Sequence, residues 1–386
     1  MTSSVPRLPV LGWRSLRLRR SQSYPASVLA RGQPVFVSSG RAAIYHALRS
    51  LAVGPGDRIL VPTYHCPTMV APIARLGAEP LFYAIDRTAG ADLGWLNEID
   101  LRGVKAMIAV HFFGIPQALG RVQAFCRERG IALIEDCAHA FFGRCGATPV
   151  GASGDFVIAS LPKFFPSTEG GCLFVTAQAG RGVSLMQPGM LAELRAVFDV
   201  LELGVQHGRL GVLGSALNAV LSVKRRLRRS RDGAASTRLQ LDAGDPAAWL
   251  DEAALERSAL RVSRLLVAYT HAERLIARRR ANYERWRTAL ENVEGAQPLF
   301  PDLPEGAVPY VFPLKVQQAD GVYQKLRARG VPVFRWDIAW PGVPRLEGDH
   351  GREWLTDVFQ LGCHQELSES DVLGLAEIVR TALVRH

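Results

Sequence analysis

The 386-residue chain reads as an α/β protein: a mostly parallel central sheet flanked by helices, followed by a smaller C-terminal α/β unit. Three observations predict this. Short apolar runs alternate with helical patterns through the first half of the chain. Those runs lack polar alternation, as strands covered by helices on both faces should. After a long helical stretch, the alternation resumes on a smaller scale.

Residues 1–33 are rich in Pro, Arg and Ser and are expected to form an N-terminal arm. A first strand is expected at 34–37, and Ser38-Ser39-Gly40-Arg41 turns from it into the helical pattern 42–48. Pro55-Gly56-Asp57 makes the turn before a second strand, 58–62. Apolar runs at 80–86, 106–111, 131–136, 156–160 and 172–176 complete the series, with a helix over 117–129 ended by Gly130. In such sheets ligands bind at the carboxyl ends of the strands. His111, Asp136 and Ser160 each fall at such an end, and together they mark a candidate site.

Residues 181–245 read as an insertion. Its stretch 210–223 is almost uncharged and, at 14 residues, too short to span a bilayer. The run 224–231 then holds six basic residues in eight. The apolar part is expected to pack on the protein or a partner subunit; lying in a membrane interface is the alternative. A solvated loop or an anion-binding segment are the two readings of the basic part. A long helical pattern covers 250–290 and carries Arg278-Arg279-Arg280, and Pro301 and Pro304 break it. A strand at 310–316, a helix at 320–329, a strand at 331–336 and a last helix at 369–384 follow, with Ser368 or Ser370 as its cap. The chain is thus divided into an arm (1–33), a large domain (34–250, with the insertion 181–245), and a linking helix with a small domain (251–386).

An apolar fraction of 48% and a charged fraction of 21% are those of a soluble globular protein. No run of some 18 apolar residues suggests a membrane helix. The N-terminus is basic, but Pro6, Pro9 and Pro25 interrupt it and no apolar stretch follows, so no secretory signal is expected. Six cysteines without CxxC or zinc spacing point to free thiols in a reducing cytoplasm and to no metal. The net charge of +10 suits an anionic partner, such as a diphosphate or a membrane surface; no nucleic-acid partner is assigned.

The chemistry centres on Lys163, 27 residues after Asp136. A lysine at the end of an apolar strand is unusual. Desolvation there lowers its pKa and frees the amine to form a Schiff base with an aldehyde. A buried aspartate can hold a pyridine nitrogen protonated. Gly40-Arg41 at a strand-to-helix turn offers backbone N–H groups to a phosphate. Blander readings stand beside each: a surface lysine beginning a turn, an aspartate capping a helix, core histidines at 111 and 139. Arg335, Trp336, Asp337, His364 and Gln365 either reach the site from the small domain or pack locally.

With these blocks in place, the chain from about residue 34 onward resembles the DegT/DnrJ/EryC1/StrS family of sugar aminotransferases, of pyridoxal-phosphate fold type I. The resemblance rests on Ser39-Gly40-Arg41-Ala42-Ala43, Gly54-Pro55-Gly56-Asp57, Val61-Pro62-Thr63-Tyr64, Val110-His111-Phe112-Phe113-Gly114, Glu135-Asp136-Cys137-Ala138-His139-Ala140 and Lys163 through Glu169-Gly170-Gly171. It implies pyridoxal 5'-phosphate as cofactor, Lys163 as the Schiff-base lysine and Asp136 as the pyridinium partner. His139 would help hold the ring, and Gly40, Arg41, Ala42 and Ser160 would meet the phosphate. Three departures stand out. Arg41 replaces the usual Thr or Ser. Cys66 occupies the place of a ring-stacking aromatic, leaving Tyr64 or His65 as substitutes. Ser160 lies three residues before Lys163 rather than five. The family further implies glutamate as amino donor, a nucleotide-linked keto-sugar as acceptor, glycoconjugate or polysaccharide biosynthesis, and a homodimer. Lys163 favours transamination over dehydration, because the dehydrating relatives carry histidine there. Another fold-type I reaction, or a non-catalytic protein binding a membrane or polyanion through 208–231, are the rival readings.

Overall fold

The computed structural model describes residues 5–17, 25–176, 183–211, 214 and 249–384. The basic run 224–231 and nearly all of 210–223 lie outside the described residues.

Two sheets carry the architecture. The larger has seven strands: β1 (Val35–Val37), β2 (Arg58–Pro62), β3 (Glu79–Tyr83), β4 (Val104–Val110), β5 (Ala132–Asp136), β8 (Phe156–Ser160) and β9 (Gly171–Val175). A two-stranded hairpin, β6 (Arg144–Cys145) with β7 (Thr148–Pro149), sits between β5 and β8 in the chain. The sheet order is β1-β9-β8-β5-β4-β2-β3. Pairs β2–β3, β2–β4, β4–β5 and β5–β8 are parallel; β9 runs antiparallel to both neighbours. Ile59, Leu60, Val61, Met107, Ile108, Leu133, Ile134, Val157 and Ala159 are buried, as the unbroken apolar runs require.

Register decides what meets at the carboxyl edge. Val110 pairs with Asp136, and Asp136 with Ile158. The ends of β4, β5 and β8 therefore line up. The first helix, Gly40–Ser50, starts beside that edge, its first turn capped by the Ser39 side chain accepting from the Ala42 N–H at 3.2 Å.

The smaller sheet is β10 (Ala296–Pro298), β11 (Val311–Val316) and β12 (Val358–Gly362), all antiparallel. It differs from the sequence reading. Residues 331–336 make only a bridge, Phe334 to Gln360, and the third strand is β12 instead. Pro332 removes a ladder donor, whereas Phe359 and Leu361 bury their side chains in a separate core beneath the small sheet and Val358 in the core of the large one. The long pattern 250–290 is broken into helices Glu252–Leu255, Arg261–Tyr269 and Ala272–Ala289. Thr270 is extended there, and the His271 side chain caps the next helix by accepting from the Arg274 N–H. The Ala259 N–H donates to Phe36 O, tying this region to β1. Ser368 supplies the cap of the last helix, Glu369–Leu383, as a capping box with Asp371.

Of the segment expected as an arm, residues 5–17 run along the C-terminal region. Arg17 N–H donates to Tyr269 O, and the Pro6 carbonyl accepts from the His364 ring.

Candidate active site

One cavity of about 330 Å³ lies at the carboxyl ends of the parallel strands. Gly40, Arg41, Asp136, His139, Ser160 and Lys163 all line it, so six of the eight sequence-derived site residues converge. Ala42 and Tyr64 are not among its lining residues.

Lys163 follows β8 on a short 3-10 turn, Leu161–Lys163. It is half-buried, reached through the cavity, and burial pushes its amine below the ordinary lysine range; Asp136 and Cys66 oppose that shift. Its Nζ stands 5.4 Å from the Tyr310 ring centre. Asp136 ends β5 and is buried, which raises its pKa against the pull of Lys163. Its Oδ1 accepts from the Ala138 N–H at 2.7 Å. Among the described residues no ion pair within 4.0 Å joins it to Lys163, so the carboxylate and the amine face one cavity without contact. A buried acid in this position is stabilised as the anion by a cationic N–H placed between them.

His139 is pushed well below the ordinary histidine range, by burial first and by Lys163 second. Its Nδ1 accepts from the Phe113 N–H at 3.3 Å, so the neutral ring presents a face and no charge. Trp336 also lines the cavity, 5.2 Å from His139 and 4.7 Å from Tyr64, ring centre to ring centre. The expected stacking substitutes therefore sit elsewhere. Tyr64 is fully buried behind Trp336, its hydroxyl accepting from Gln360 Nε2 at 3.2 Å. His65 stacks on Phe82 in the core. Both rings gain more from the apolar seam between the two sheets than from the cavity, and only Cys66 of that turn faces it.

The anion end is the first turn of helix Gly40–Ser50, with Ser38, Ser39 and Ser160. A Cβ on Gly40 would lie 3.5 Å from Ser160 Cβ, so the serine is adjacent to this turn. Arg41 Nη1 donates to Trp249 O at 2.6 Å, which fixes its guanidinium at the rim. Gly171 lets β9 pass under the turn: a Cβ there would come within 2.5 Å of Ser39 backbone. Glu169 anchors the lysine loop, accepting from the Leu260 N–H at 2.8 Å and from Arg257 at 3.1 Å.

His111, placed at a strand end by the sequence, turns away from the cavity. Its Nε2 bonds to Glu135 at 2.8 Å, and its Nδ1 accepts from the Gln117 N–H. Burial would raise the Glu135 pKa, but this bond and three backbone N–H groups, from Gly151, Ser153 and Gly154, hold it down at about 2. Glu135 and His111 thus brace β4 and β5 beneath Asp136. His364 likewise bonds locally, to Pro6 O. Gln365 does reach the lysine loop, donating to Phe164 O at 2.9 Å. Arg279, read only as part of a basic triplet, is fully buried against that loop. Three consecutive residues on a helix point about 100° apart and so spread over more than half its circumference; the triplet alone does not say that Arg279 is the one facing inward.

These residues fit pyridoxal phosphate. A helix N-terminus with serines suits the phosphate, and a buried uncompensated carboxylate suits a protonated ring nitrogen. A desolvated amine suits the aldehyde carbon, and His139 and Trp336 offer ring faces.

Residues 26–184 match the model of the DegT/DnrJ/EryC1/StrS aminotransferase family. UDP-N-acetyl-3-dehydro-alpha-D-glucosamine 3-aminotransferase of Acidithiobacillus ferrooxidans is 33% identical over 148 residues, 37% of this chain and 39% of that protein. GDP-perosamine synthase of Vibrio cholerae is 32% identical over 169 residues, 42% of this chain and 45% of that protein. The matches thus span about two fifths of the length of these curated relatives. Among solved structures, the aminotransferase TlmJ from Streptoalloteichus hindustanus superposes with a TM-score of 0.61 at 23% identity, covering 91% of this chain and 86% of that one. Helicobacter pylori PseC, an aminotransferase involved in pseudoaminic acid biosynthesis, gives 0.64 at 14% identity, covering 96% and 93%. The described chain therefore has the fold of these aminotransferases, and its segment 26–184 matches the DegT/DnrJ/EryC1/StrS aminotransferase family model.

Proposed function

We propose that the protein is a pyridoxal-phosphate-dependent aminotransferase that moves an amino group from glutamate to a nucleotide-linked keto-sugar, for polysaccharide or glycoconjugate biosynthesis. The observation that carries this reading is the shared cavity of Lys163 and Asp136 at the ends of β5 and β8. Bound there, the cofactor would supply an aldehyde that condenses with amines and a ring that takes up electrons. Lys163, Asp136, His139, Ser160 and the turn at Gly40 would hold it. Asp136, anionic beside the ring nitrogen, would keep a proton on that atom. Lys163 Nζ, held below the ordinary lysine range by burial, would accept a proton from the donor's α-carbon and later return one to the acceptor's carbon. Trp336 and the aromatic seam behind it would exclude water from the ring's face.

The substrate assignment draws on the names of the relatives, which act on UDP-, dTDP- and GDP-linked sugars or make them. The net charge of +10 suits a sugar diphosphate. A cytoplasmic location fits six unpaired cysteines. No helix among the described residues is long and apolar enough to cross a membrane. A homodimer fits the exposed apolar side chains of helix Met190–Gln206, among them Met190, Leu191 and Leu194. Light scattering tests it: a monomer contradicts the dimer, and flotation of that monomer with anionic liposomes would assign the face to a membrane instead.

Lys163→Gln tests the central assignment. The variant should lose the visible band of the lysine-bound cofactor and all turnover with glutamate and keto-sugar acceptors. Full transamination by Lys163→Gln would refute the reading.

A further inference from the structure

We propose that Arg279 is a positioning residue for Lys163, fixing the main chain of the lysine loop from the C-terminal half of the protein. This rests on the aminotransferase reading above.

Arg279 lies in helix Ala272–Ala289 with no exposed surface. Among the described residues no carboxylate lies within ion-pair distance of it. Burying a guanidinium without a counter-ion is expensive, and burial pushes its pKa down to about 10. An apolar side chain would fill the volume at lower cost. What the charge obtains instead is a set of aimed carbonyls. Nη2 donates to Lys163 O at 2.7 Å, Nη1 to Pro309 O at 3.0 Å and, at 3.4 Å, to Tyr310 O. Nε donates to Gln365 Oε1 at 2.9 Å, and the guanidinium lies 4.3 Å over the Phe164 ring.

Gln365 extends the arrangement, its Nε2 donating to Phe164 O at 2.9 Å. Two successive carbonyls of the lysine loop are thus held by side chains 116 and 201 positions away in sequence. The same guanidinium holds the main chain at Tyr310, whose ring stands 5.4 Å from Lys163 Nζ. One group therefore sets both where the lysine starts and the aromatic face its amine meets. Only a planar fork can serve these directions together; an ammonium at the same point cannot. A lysine that must both bond a carbon and move a proton loses rate steeply with small misplacement.

The test uses full-length, cofactor-loaded protein carrying Arg279→Lys, which keeps the charge and removes the fork. Cofactor should still bind, and KM for the amino donor should stay within about threefold while kcat falls at least about tenfold. The visible circular dichroism per bound cofactor should fall by about half or more, since it reads how the lysine holds the ring. Gln365→Met, which leaves Arg279 in place, should give the same split with a smaller loss. It decides the matter alone if Arg279→Lys does not fold. Wild-type kcat and dichroism in variants that are merely less heat-stable would overturn the proposal and leave Arg279 a structural prop. A wild-type protein without the visible band or turnover would overturn the aminotransferase reading itself, and this inference with it.

Discussion

At the scale of single residues, the site is built by desolvation more than by contact. Lys163 and Asp136 share a cavity without touching, and burial shifts each toward its neutral form. Asp136→Asn keeps the size and removes the charge. It should retain cofactor binding and lose about 100-fold or more in turnover, the size of effect seen when one aimed electrostatic group is removed. Single-turnover absorbance with glutamate reads this directly, and an unimpaired rate would assign Asp136 a merely structural part. Lys163 and Asp136 were legible because each stands inside a local block of unusual residues at a strand end. Trp336 and Gln365 were legible only as residues that either reach the site or pack locally, and Arg279 only as part of a basic triplet. Their partners lie across the fold, and a tryptophan or an arginine triplet carries no local sign of which way it faces.

Among elements, the glycines separate what backbone closeness demands from what a motif suggests. Gly40 heads the helix Gly40–Ser50, and a methyl there meets Ser160 at ordinary contact distance. Gly171 on β9 has no such room, since a methyl would press within 2.5 Å of the Ser39 backbone that begins the same turn. Gly40→Ala should leave apo-protein stability within about 0.5 kcal/mol. Gly171→Ala should cost about 1–3 kcal/mol by overpacking and should weaken cofactor binding as the turn is displaced. Thermal melts of the two variants side by side, with cofactor titration, check this. Equal tolerance at both positions would mean that β9 shifts freely beneath the turn. The strands of the large sheet were legible because both their faces are covered, which leaves unbroken apolar runs. β10 and β12 were not: they are short, and one face of each small-sheet strand packs on helices whose positions the sequence does not give. The break at Thr270–His271 was missed for a related reason. The apolar spacing continues through it, and the chain breaks where the N-terminal segment pairs with it: Arg17 N–H donates to Tyr269 O and His271 N–H to Ser15 O.

For the molecule as a whole, buried neutral histidines set its response to acid. Burial lowers His65 to about 4 and His364 to about 3. His65 Nδ1 donates toward Pro62 O and Thr63 O while its Nε2 accepts from the Trp340 N–H, so a second proton would break that last bond. His364 Nε2 donates to Pro6 O, and its Nδ1 is buried without a partner. Both groups therefore bind protons less readily folded than unfolded, where a pKa near 6.5 applies. Stability rises with pH wherever the unfolded state holds more protons. It is complete above about pH 6.5 and is lost below it, down to about pH 4 for His65 and about pH 3 for His364. Each should contribute about 1.4 kcal/mol per pH unit across its window. Urea unfolding between pH 7 and 4 should show that slope, and His364→Gln should flatten it by about one proton. A flat profile would mean that these rings are reached by solvent.

The central claim is that Lys163 and Asp136 form a working pyridoxal-phosphate site, and the absorption spectrum of the purified protein tests it most directly. Cofactor is added first and L-glutamate second. A visible band that appears with the cofactor and gives way to the near-ultraviolet amine form on adding glutamate is the expected result. No visible band at saturating cofactor, in folded protein, would contradict the claim.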